Sequence, residues 1–183
     1  MTISSREISR ATRRYLNNHR DERDNLAPLL SCLADDAEIT SRRATPGHVT
    51  CSAAVINAAG QVLVIHHNVL GRWLLSGGHL EPPDTGLLAA ARRELAEETG
   101  ITRQLAISPP ELDGLPFDID LHHIPASQPK GEPAHWHTDF RFAFFVENPS
   151  VLMQLEEVSA FAWHLPSSLH TSRLASKITR LAR

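Results

Sequence analysis

The chain has 183 residues, of which 42% are hydrophobic and 21% are charged, and its formal net charge is -3 when its 11 histidines are counted as neutral. This length is enough for one domain with a sizeable core, and the composition excludes wholesale disorder. The small net charge provides no overall attraction to nucleic acid, so we expect no nucleic-acid partner.

The N-terminus and the cysteines bear on the cellular compartment. The opening stretch MTISSREISRATRRYL is charged and lacks the apolar segment of a secretory signal. No run of residues approaches the roughly 20 apolar positions that a membrane span requires. Cys32 and Cys51 form neither a C-x-x-C pair nor a disulfide framework, which fits a reducing compartment. We therefore expect a cytoplasmic protein with no membrane partner.

Residues 1–45 are predicted to form a helical extension. Ile8, Ala11 and Tyr15 recur at helical spacing, and a second stripe follows in which Pro28 is tolerated in the first turn. The second stripe consists of four leucines, Leu26, Leu29, Leu30 and Leu33. A polar segment then leads into a main domain that we predict at residues 46–183.

From His48 onward the pattern is that of strands separated by helices. Strands are predicted at 48–56 and 61–67, on either side of a turn that ends at Gly60. The later elements are predicted at about 72–75 (strand), 84–99 (helix), 117–123, 135–146 and 159–164 (strands) and 167–181 (helix). Asp84 is the expected N-cap of the first of these helices, and Gly100 its left-handed C-terminal residue. This order predicts an α/β (α+β) sandwich.

Three glutamates crowd the C-terminal end of the predicted helix at 84–99. Glu94, Glu97 and Glu98 are spaced i, i+3 and i+4, which places them on one face. They repel one another and the negative end of the helix dipole, and Arg93 alone does not neutralise them. A bound divalent cation would neutralise these glutamates. Because they offer only oxygen ligands, Mg²⁺ or Mn²⁺ is the expected ion. The simpler alternative is a solvated acidic helix end.

Gly78 and the nine residues Arg93–Ile101, RELAEETGI, carry a family resemblance. Together they resemble the Nudix box, G-x5-E-x7-R-E-U-x-E-E-x-G-U, in which U is a bulky aliphatic residue, and the last nine residues match at every specified position. The chain has one residue more than the pattern between Gly78 and Glu94, which we expect in the loop at 81–86. Asp84 stands in place of the first glutamate of the pattern.

The resemblance implies a Nudix-type α/β/α sandwich with a mixed sheet, and hydrolysis of a nucleoside diphosphate linked to another group. It also implies that Glu94, Glu97, Glu98 and the Gly78 carbonyl hold Mg²⁺, while metal-activated water attacks phosphorus. Glu97 is the favoured general base, and Arg93 would orient the glutamates. The expected partner is a small-molecule diphosphate, and a homodimer is a candidate assembly because many members of the family are dimers.

A histidine-rich pair of strands is the second unusual feature. Asp118, Asp120 and His122 share one face of the first strand by alternation, and four residues share one face of the second: His135, His137, Asp139 and Arg141. If the strands pair, the two polar sets meet. Three interpretations remain open, namely charges paired on a solvated face, a wall that binds substrate, or a separate transition-metal site.

His79 and Glu81, next to the glycines, are further candidates for substrate binding. An exposed turn histidine with no role is an equal alternative for His79, and Glu81 is either a further metal ligand or an anchor of the loop. Glu156 and Glu157 are interpreted as a solvated pair, with the alternative that one of them is a base or ligand, as the resemblance implies for some members of the family. The alternatives to a hydrolase are an enzyme similar to isopentenyl-diphosphate isomerase, which uses histidine and glutamate ligands, and a non-catalytic module that senses a nucleotide. The complete string RELAEETGI argues against both alternatives.

Overall fold

The computed structural model describes residues 3–102, 108–128, 131–147 and 158–182. Glu156 and Glu157 lie outside the described residues. The described helices are α1 (Ser5–Asn18), α2 (Ala27–Ala34), α3 (Leu87–Thr99) and α4 (Ser172–Leu181). The described strands are β1 (Gly47–Asn57), β2 (Val62–His67), β3 (Arg72–Leu74), β4 (Ser76–His79), β5 (Asp118–Ile124), β6 (His135–Val146) and β7 (Val158–His164).

The seven described strands form one mixed sheet with β1 near its centre. β1 pairs in parallel with β6 over its whole length, and β5 pairs antiparallel with the far side of β6. The other side of β1 pairs antiparallel with β4 and with β2. β2 in turn pairs antiparallel with β3 and with β7. The predicted mixed sheet with interspersed helices is therefore confirmed.

β4 was not predicted, and α4 begins later than predicted. The glycine-rich stretch at 76–79 has few strand-forming residues, but it pairs with β1 from Thr50–His79 to Ala53–Ser76. The predicted terminal helix at 167–181 is wrong at its start, because residues Pro166–Ser168 form a separate short turn. α4 begins at Ser172, where the Thr171 side chain accepts a hydrogen bond from Leu174 N–H.

Each face of the sheet is covered by helices, which gives three layers. On one face, apolar residues of β1 such as Val49 and Cys51 join a core with Leu95 of α3. On the other face, Ala54 packs in a second core with Leu174 of α4. Toward the start of β1 this second face carries polar residues at the alternate positions, namely His48, Thr50 and Ser52. We call this region the polar end of the α4 face.

The N-terminal helices share the first core. Ile8 of α1 and Leu26 just before α2 are fully buried there. Glu7 of α1 also supplies the cap that α3 lacks, since Leu87 N–H donates to Glu7 Oε1 at 3.3 Å and Gly86 offers no side chain. None of the helices formed by the described residues is long and apolar enough to cross a membrane.

Asp84 is not the N-cap of α3, which corrects the sequence prediction. The helix begins at Leu87, three residues later than Asp84. The Asp84 carboxylate instead accepts hydrogen bonds from Arg93 Nε and Nη2, at 3.0 and 3.1 Å. A bidentate hydrogen bond from a charged guanidinium is stronger than a hydrogen bond from an uncharged backbone N–H. The Asp84 carboxylate therefore binds Arg93 instead of capping the helix.

A buried charge network joins the N-terminal segment to the sheet. Lys177 Nζ of α4 lies 2.7 Å from Asp118 Oδ1 of β5 and 2.6 Å from Glu22 Oε1, and all three side chains are nearly inaccessible. The Tyr15 hydroxyl donates to Glu22 and accepts from Lys177. Burial, followed by the hydrogen bond to Glu22, raises the pKa of Tyr15 well above its usual value, so the phenol stays protonated.

We predict that Lys177→Met lowers the free energy of unfolding by about 1–3 kcal/mol, because it removes the cation that two buried carboxylates share. The loss is limited because Asp118 keeps its ion pair with Arg141 and Glu22 keeps its contact with Arg173. Methionine keeps a long apolar stem, so the loss reports the charge more than a cavity. Equilibrium denaturation measures the change. Arg180→Met, at an exposed basic position of the same helix, is the matched control and should change stability by less than about 0.5 kcal/mol. Equal, small effects of the two variants would contradict the prediction.

Candidate active site

Glu98 is the most firmly held of the three glutamates at the end of α3. It is only 4% exposed. Its Oε2 atom accepts hydrogen bonds from the Ser76 hydroxyl at 2.5 Å and from Gly77 N–H at 3.0 Å. Both donors belong to β4, so the strand fixes the position of this carboxylate before any ligand binds.

Two adjacent glycines allow β4 to lie this close to its neighbours. A Cβ atom at Gly78 would lie 2.5 Å from Glu94 Oε1, so the glutamate rests against bare backbone. A Cβ atom at Gly77 would lie 2.6 Å from the backbone oxygen of Cys51 on β1. The first glycine of this pair therefore permits sheet pairing, and the second permits the approach of Glu94.

Arg93 donates hydrogen bonds to the acidic side chains near the C-terminal end of α3. Its Nη1 atom lies 3.0 Å from Glu94 Oε1 and 2.9 Å from Glu97 Oε2, and its Nη2 atom donates to the His79 backbone oxygen at 2.9 Å. Burial disfavours the charge on Arg93, but hydrogen bonds to Asp84 and the charge of Glu94 outweigh it and raise its pKa above the usual value. Arg93 thus stays charged and fixes the direction of two glutamates.

Glu81 takes part in this arrangement mainly through its backbone. Its N–H donates to Asp84 Oδ2 at 2.7 Å. Its side chain is about half exposed and lies 3.9 Å from Arg93 Nη1, a distance too long for a hydrogen bond. The loop at 81–86 is therefore anchored by Asp84, and the Glu81 side chain is accessible from solvent.

The chemistry of these donors fits a hard divalent cation. Glu94, Glu97 and Glu98 offer only oxygen atoms as ligands. Arg93 carries a single positive charge, which Glu94, Glu97 and Asp84 share. Mg²⁺ and Mn²⁺ prefer such ligands and retain water molecules. Among the described residues, however, the group of three whose ligand atoms already lie within 4.8 Å of one another consists of His48, His135 and His137.

These histidines meet at the polar end of the α4 face. His135 and His137 alternate on β6, and His48 of β1 pairs directly with His137. The ring centroid of His48 lies 4.9 Å from that of His135, 4.6 Å from that of His137 and 5.1 Å from that of His79 on β4. We call these four residues the histidine cluster. His48 was not among the predicted site residues, although its alternation with Thr50 and Ser52 marks a polar strand face.

Three members of the histidine cluster, His48, His79 and His137, are neutral near physiological pH. Burial, followed by the nearby imidazole of His48, lowers the pKa of His137 to about 3 and that of His79 to about 4. Burial also lowers the pKa of His48. Neutral imidazoles keep a nitrogen lone pair that is available to a ligand.

The second polar set forms a buried ion-pair network. β5 and β6 pair with Asp118 opposite Arg141, Asp120 opposite Asp139 and His122 opposite His137, so the predicted meeting of the two sets is confirmed. Arg141 is 5% exposed and binds Asp118, Asp120 and Asp139 at 2.9, 3.0 and 2.9 Å. The charges pair across strands but are buried rather than solvated. Contact of Asp139 or Arg141 with a substrate stays a prediction.

β4 separates the glutamates from the histidine cluster. Successive side chains of a strand point to opposite faces. Ser76 and Gly78 face α3 and its glutamates, whereas the His79 ring joins the histidines. The two groups are thus neighbours on opposite faces of one strand, and the His79 carbonyl that binds Arg93 links them.

A sequence model of the NUDIX domain matches residues 46–181, which is most of the chain. The chain belongs to the NUDIX domain family. Phosphatase NudJ of Escherichia coli strain K12 and phosphatase NudJ of Shigella flexneri are each 48% identical to it over 59 residues, 31% of this chain and 37% of NudJ. The matched segment therefore spans little more than a third of these relatives.

Solved structures show the same fold. The Escherichia coli dihydroneopterin triphosphate pyrophosphohydrolase aligns with a TM-score of 0.57 at 16% identity, over 79% of this chain and 98% of that one. A Caenorhabditis elegans Ap4A hydrolase aligns with a TM-score of 0.55 at 17% identity, over 73% and 94%. At these identities the likeness concerns the fold alone. The resemblance to the Nudix fold is confirmed.

The two departures from the Nudix box leave the helix end undisturbed. Asp84, in place of the first glutamate, still reaches Arg93. The extra residue is accommodated between β4 and α3, where Asp84 N–H donates to the Glu81 oxygen at 2.9 Å. The division into an extension at 1–45 and a Nudix domain at 46–183 stays a prediction, as do the roles of the individual site residues.

We predict that alanine substitutions at the two glycines of β4 have different consequences, one for stability and the other for metal binding. In Gly77→Ala the new Cβ meets the backbone of β1, so stability should fall by about 1–3 kcal/mol. In Gly78→Ala it meets the carboxylate end of a flexible side chain, so the fold should tolerate it, but Glu94 must move. Mn²⁺ binding to Gly78→Ala, measured by electron paramagnetic resonance, should weaken at least 10-fold, by analogy with the loss of a supporting group. Unchanged Mn²⁺ affinity would contradict this prediction.

The low histidine pKa values predict that acid destabilises the fold. Well above pH 6.5, His79 and His137 are neutral in both the folded and the unfolded chain and do not change stability with pH. Below that pH the unfolded chain binds protons that the folded His79 and His137 do not, so the free energy of unfolding decreases toward pH 4. Denaturant unfolding of His137→Gln in metal-free buffer should show a shallower pH dependence than the wild type. His123→Gln, at an exposed position of β5, is the control, and parallel curves for all three proteins would refute the prediction.

Proposed function

We propose that the protein is a Mg²⁺-dependent Nudix hydrolase that cleaves a diphosphate linkage in a nucleoside diphosphate derivative or a related small molecule. The observation that carries the proposal is the arrangement of Glu94 and Glu98 against the glycine backbone of β4, in a chain that belongs to the NUDIX domain family. Mn²⁺ is a candidate substitute for Mg²⁺ because both accept oxygen ligands.

Glu94, Glu97, Glu98 and the Gly78 carbonyl would hold the ion. When bound, it supplies charge neutralisation of the diphosphate and a water of lowered pKa. Ser76 and Gly77 hold Glu98 in place. Arg93 keeps Glu94 and Glu97 in a fixed relation, which makes it a positioning residue.

Glu97 is the favoured general base. Its side chain is 51% exposed, so it can contact a water molecule and exchange a proton with bulk solvent. Glu98, which is buried and already accepts two hydrogen bonds, is less suited to that exchange. These contacts support a division of roles among the glutamates. Glu97 would accept a proton from the attacking water, and Glu94 and Glu98 would hold the metal ion in place.

The substrate class is supported by the fold and by the polarity of the face beyond β4. The neighbours named as Ap4A hydrolase and dihydroneopterin triphosphate pyrophosphohydrolase act on compounds that contain phosphoanhydride bonds. In this chain, His79, His135 and His137 lie at the polar end of the α4 face, next to the glycines, and are candidates for contact with a substrate. Glu81, Asp139 and Arg141 remain further candidates for substrate contact.

Location and assembly are part of the proposal. The described cysteines, Cys32 and Cys51, are free thiols, which supports a reducing cytoplasm. A homodimer stays a prediction.

A substrate panel in Mg²⁺ tests the proposal. Nucleoside triphosphates, dinucleotides, nucleotide sugars, coenzyme A and prenyl diphosphates are incubated with the protein in ¹⁸O-labelled water, and the products are separated by chromatography and weighed by mass spectrometry. We expect cleavage of a diphosphate bond with ¹⁸O in one phosphate product. Glu98→Gln should lose at least about 100-fold in kcat, the size of effect seen when one electrostatic contribution is removed.

Glu111→Gln, at an exposed position outside the helix end, is the matched control and should retain the wild-type rate. Conversion of a prenyl diphosphate to an isomer without cleavage would favour the isomerase alternative instead. Tight nucleotide binding with no turnover of any compound would favour a sensing module. Either result would overturn the hydrolase proposal.

A further inference from the structure

Three imidazoles of the histidine cluster present nitrogen atoms to one another. His48, His135 and His137 each offer one ligand atom, and these atoms all lie within 4.8 Å of one another. The Nε2 atoms of His135 and His137 are 3.2 Å apart. With zinc–nitrogen bonds of about 2.0–2.1 Å and a tetrahedral angle, two ligand nitrogens lie about 3.3–3.4 Å apart. Two of the three imidazoles therefore already have the separation that a shared zinc ion imposes.

The Nε2 atom of His48 has no partner in the protein. His48 is 3% exposed, and among the described residues its Nε2 is the only buried side-chain nitrogen or oxygen atom that lacks a hydrogen bond. Buried polar groups are almost always satisfied, so an unsatisfied nitrogen on a ring whose centroid lies 4.9 and 4.6 Å from those of two other imidazoles indicates a ligand.

Backbone carbonyls determine which nitrogen of each ring is available. The His135 Nδ1 atom lies 2.8 Å from the Pro133 oxygen, and the His48 Nδ1 atom lies 3.4 Å from the Ala44 oxygen. A carbonyl only accepts hydrogen bonds, so Nδ1 carries the hydrogen in both rings and Nε2 keeps its lone pair. Metal-binding histidines are commonly oriented in this way, by a carbonyl on the far nitrogen.

We propose that His48, His135 and His137 bind one zinc ion through their Nε2 atoms, at a site separate from the box glutamates. Zinc is the favoured occupant because three neutral nitrogen ligands suit a borderline ion, whereas Mg²⁺ prefers oxygen. Three protein ligands leave the fourth tetrahedral position open to water or to an anion.

Zinc binding at this site releases no proton from the three rings when they are neutral. In the metal-free protein, His137 Nε2–H donates to His135 Nε2, because the latter carries the lone pair. When zinc binds, the hydrogen of His137 moves to Nδ1 through solvent and Nε2 becomes a ligand. The ring remains neutral, and the imidazole–imidazole hydrogen bond is replaced by two zinc–nitrogen bonds.

The proposal does not rest on hydrolysis at the glutamates. The zinc ligands lie on the opposite face of β4 from Glu94 and Glu98, so each site can be altered without removing a ligand of the other. His79 is the nearest link, since its ring contacts His48 and His137 while its carbonyl binds Arg93. Zinc binding is therefore measurable without any assay of turnover.

The test uses full-length protein without an affinity tag, stripped of metal by a chelator and checked by plasma mass spectrometry. Zinc is titrated in competition with a chromophoric chelator, and Co²⁺ serves as a spectroscopic probe because tetrahedral nitrogen sites absorb far more strongly than octahedral oxygen sites. We expect one zinc ion per chain and a tetrahedral Co²⁺ spectrum. His48→Gln and His137→Gln should each weaken zinc binding at least about 10-fold, with the circular dichroism spectrum of the wild type.

Two comparisons make the result specific. His123→Gln, an exposed histidine on the same hairpin, should bind zinc as the wild type does, and so should the double variant Glu94→Gln/Glu98→Gln. The proposal is overturned if the wild type binds no stoichiometric zinc or if His48→Gln and His137→Gln keep the wild-type affinity. It is also overturned if the glutamate variant, rather than the histidine variants, loses the ion.

Discussion

The close approach of β4 to its neighbours on both faces is the constraint on which the candidate site depends. Gly77 lets the strand pair tightly with β1, and Gly78 lets the Glu94 carboxylate rest against bare backbone. The same short strand provides the two donors that hold Glu98. A side chain at Gly77 would collide with the backbone of β1, and one at Gly78 would displace the Glu94 carboxylate. The position of the acidic helix end relative to the sheet therefore follows from two missing Cβ atoms.

Buried cations then hold the segments together. Arg93 binds carboxylates of the loop and of α3, Arg141 binds carboxylates of β5 and β6, and Lys177 joins α4 to β5 and to the N-terminal segment. Each cation contacts more than one acid from different elements. Such networks add little net stability over an apolar core, but they penalise any arrangement that leaves one charge unpaired. They consequently fix how these elements are placed relative to one another.

The N-terminal segment is more than an appendage to this arrangement. It buries apolar residues in the first core, caps α3 through Glu7 and contributes Glu22 to the Lys177 network. The helix that carries the acidic residues is thus stabilised at its start by a segment outside the family match at 46–181. The C-terminal end of α3, where Glu97 and Glu98 lie, is ordered by β4 instead.

Four features could be predicted from the amino-acid pattern, namely the mixed sheet, most element positions, the left-handed residue at Gly100 and the acidic helix end. They depend on local periodicity and on spacing within one helix. The pattern did not predict β4, whose glycines form a strand only when β1 is beside them. Nor did it show that Asp84 would bind Arg93 rather than cap α3. Only the tertiary structure brought His48 to His135 and His137, since the parallel register of β1 and β6 joins residues nearly 90 positions apart. That register depends on the packing of the whole sheet, and no local pattern encodes it.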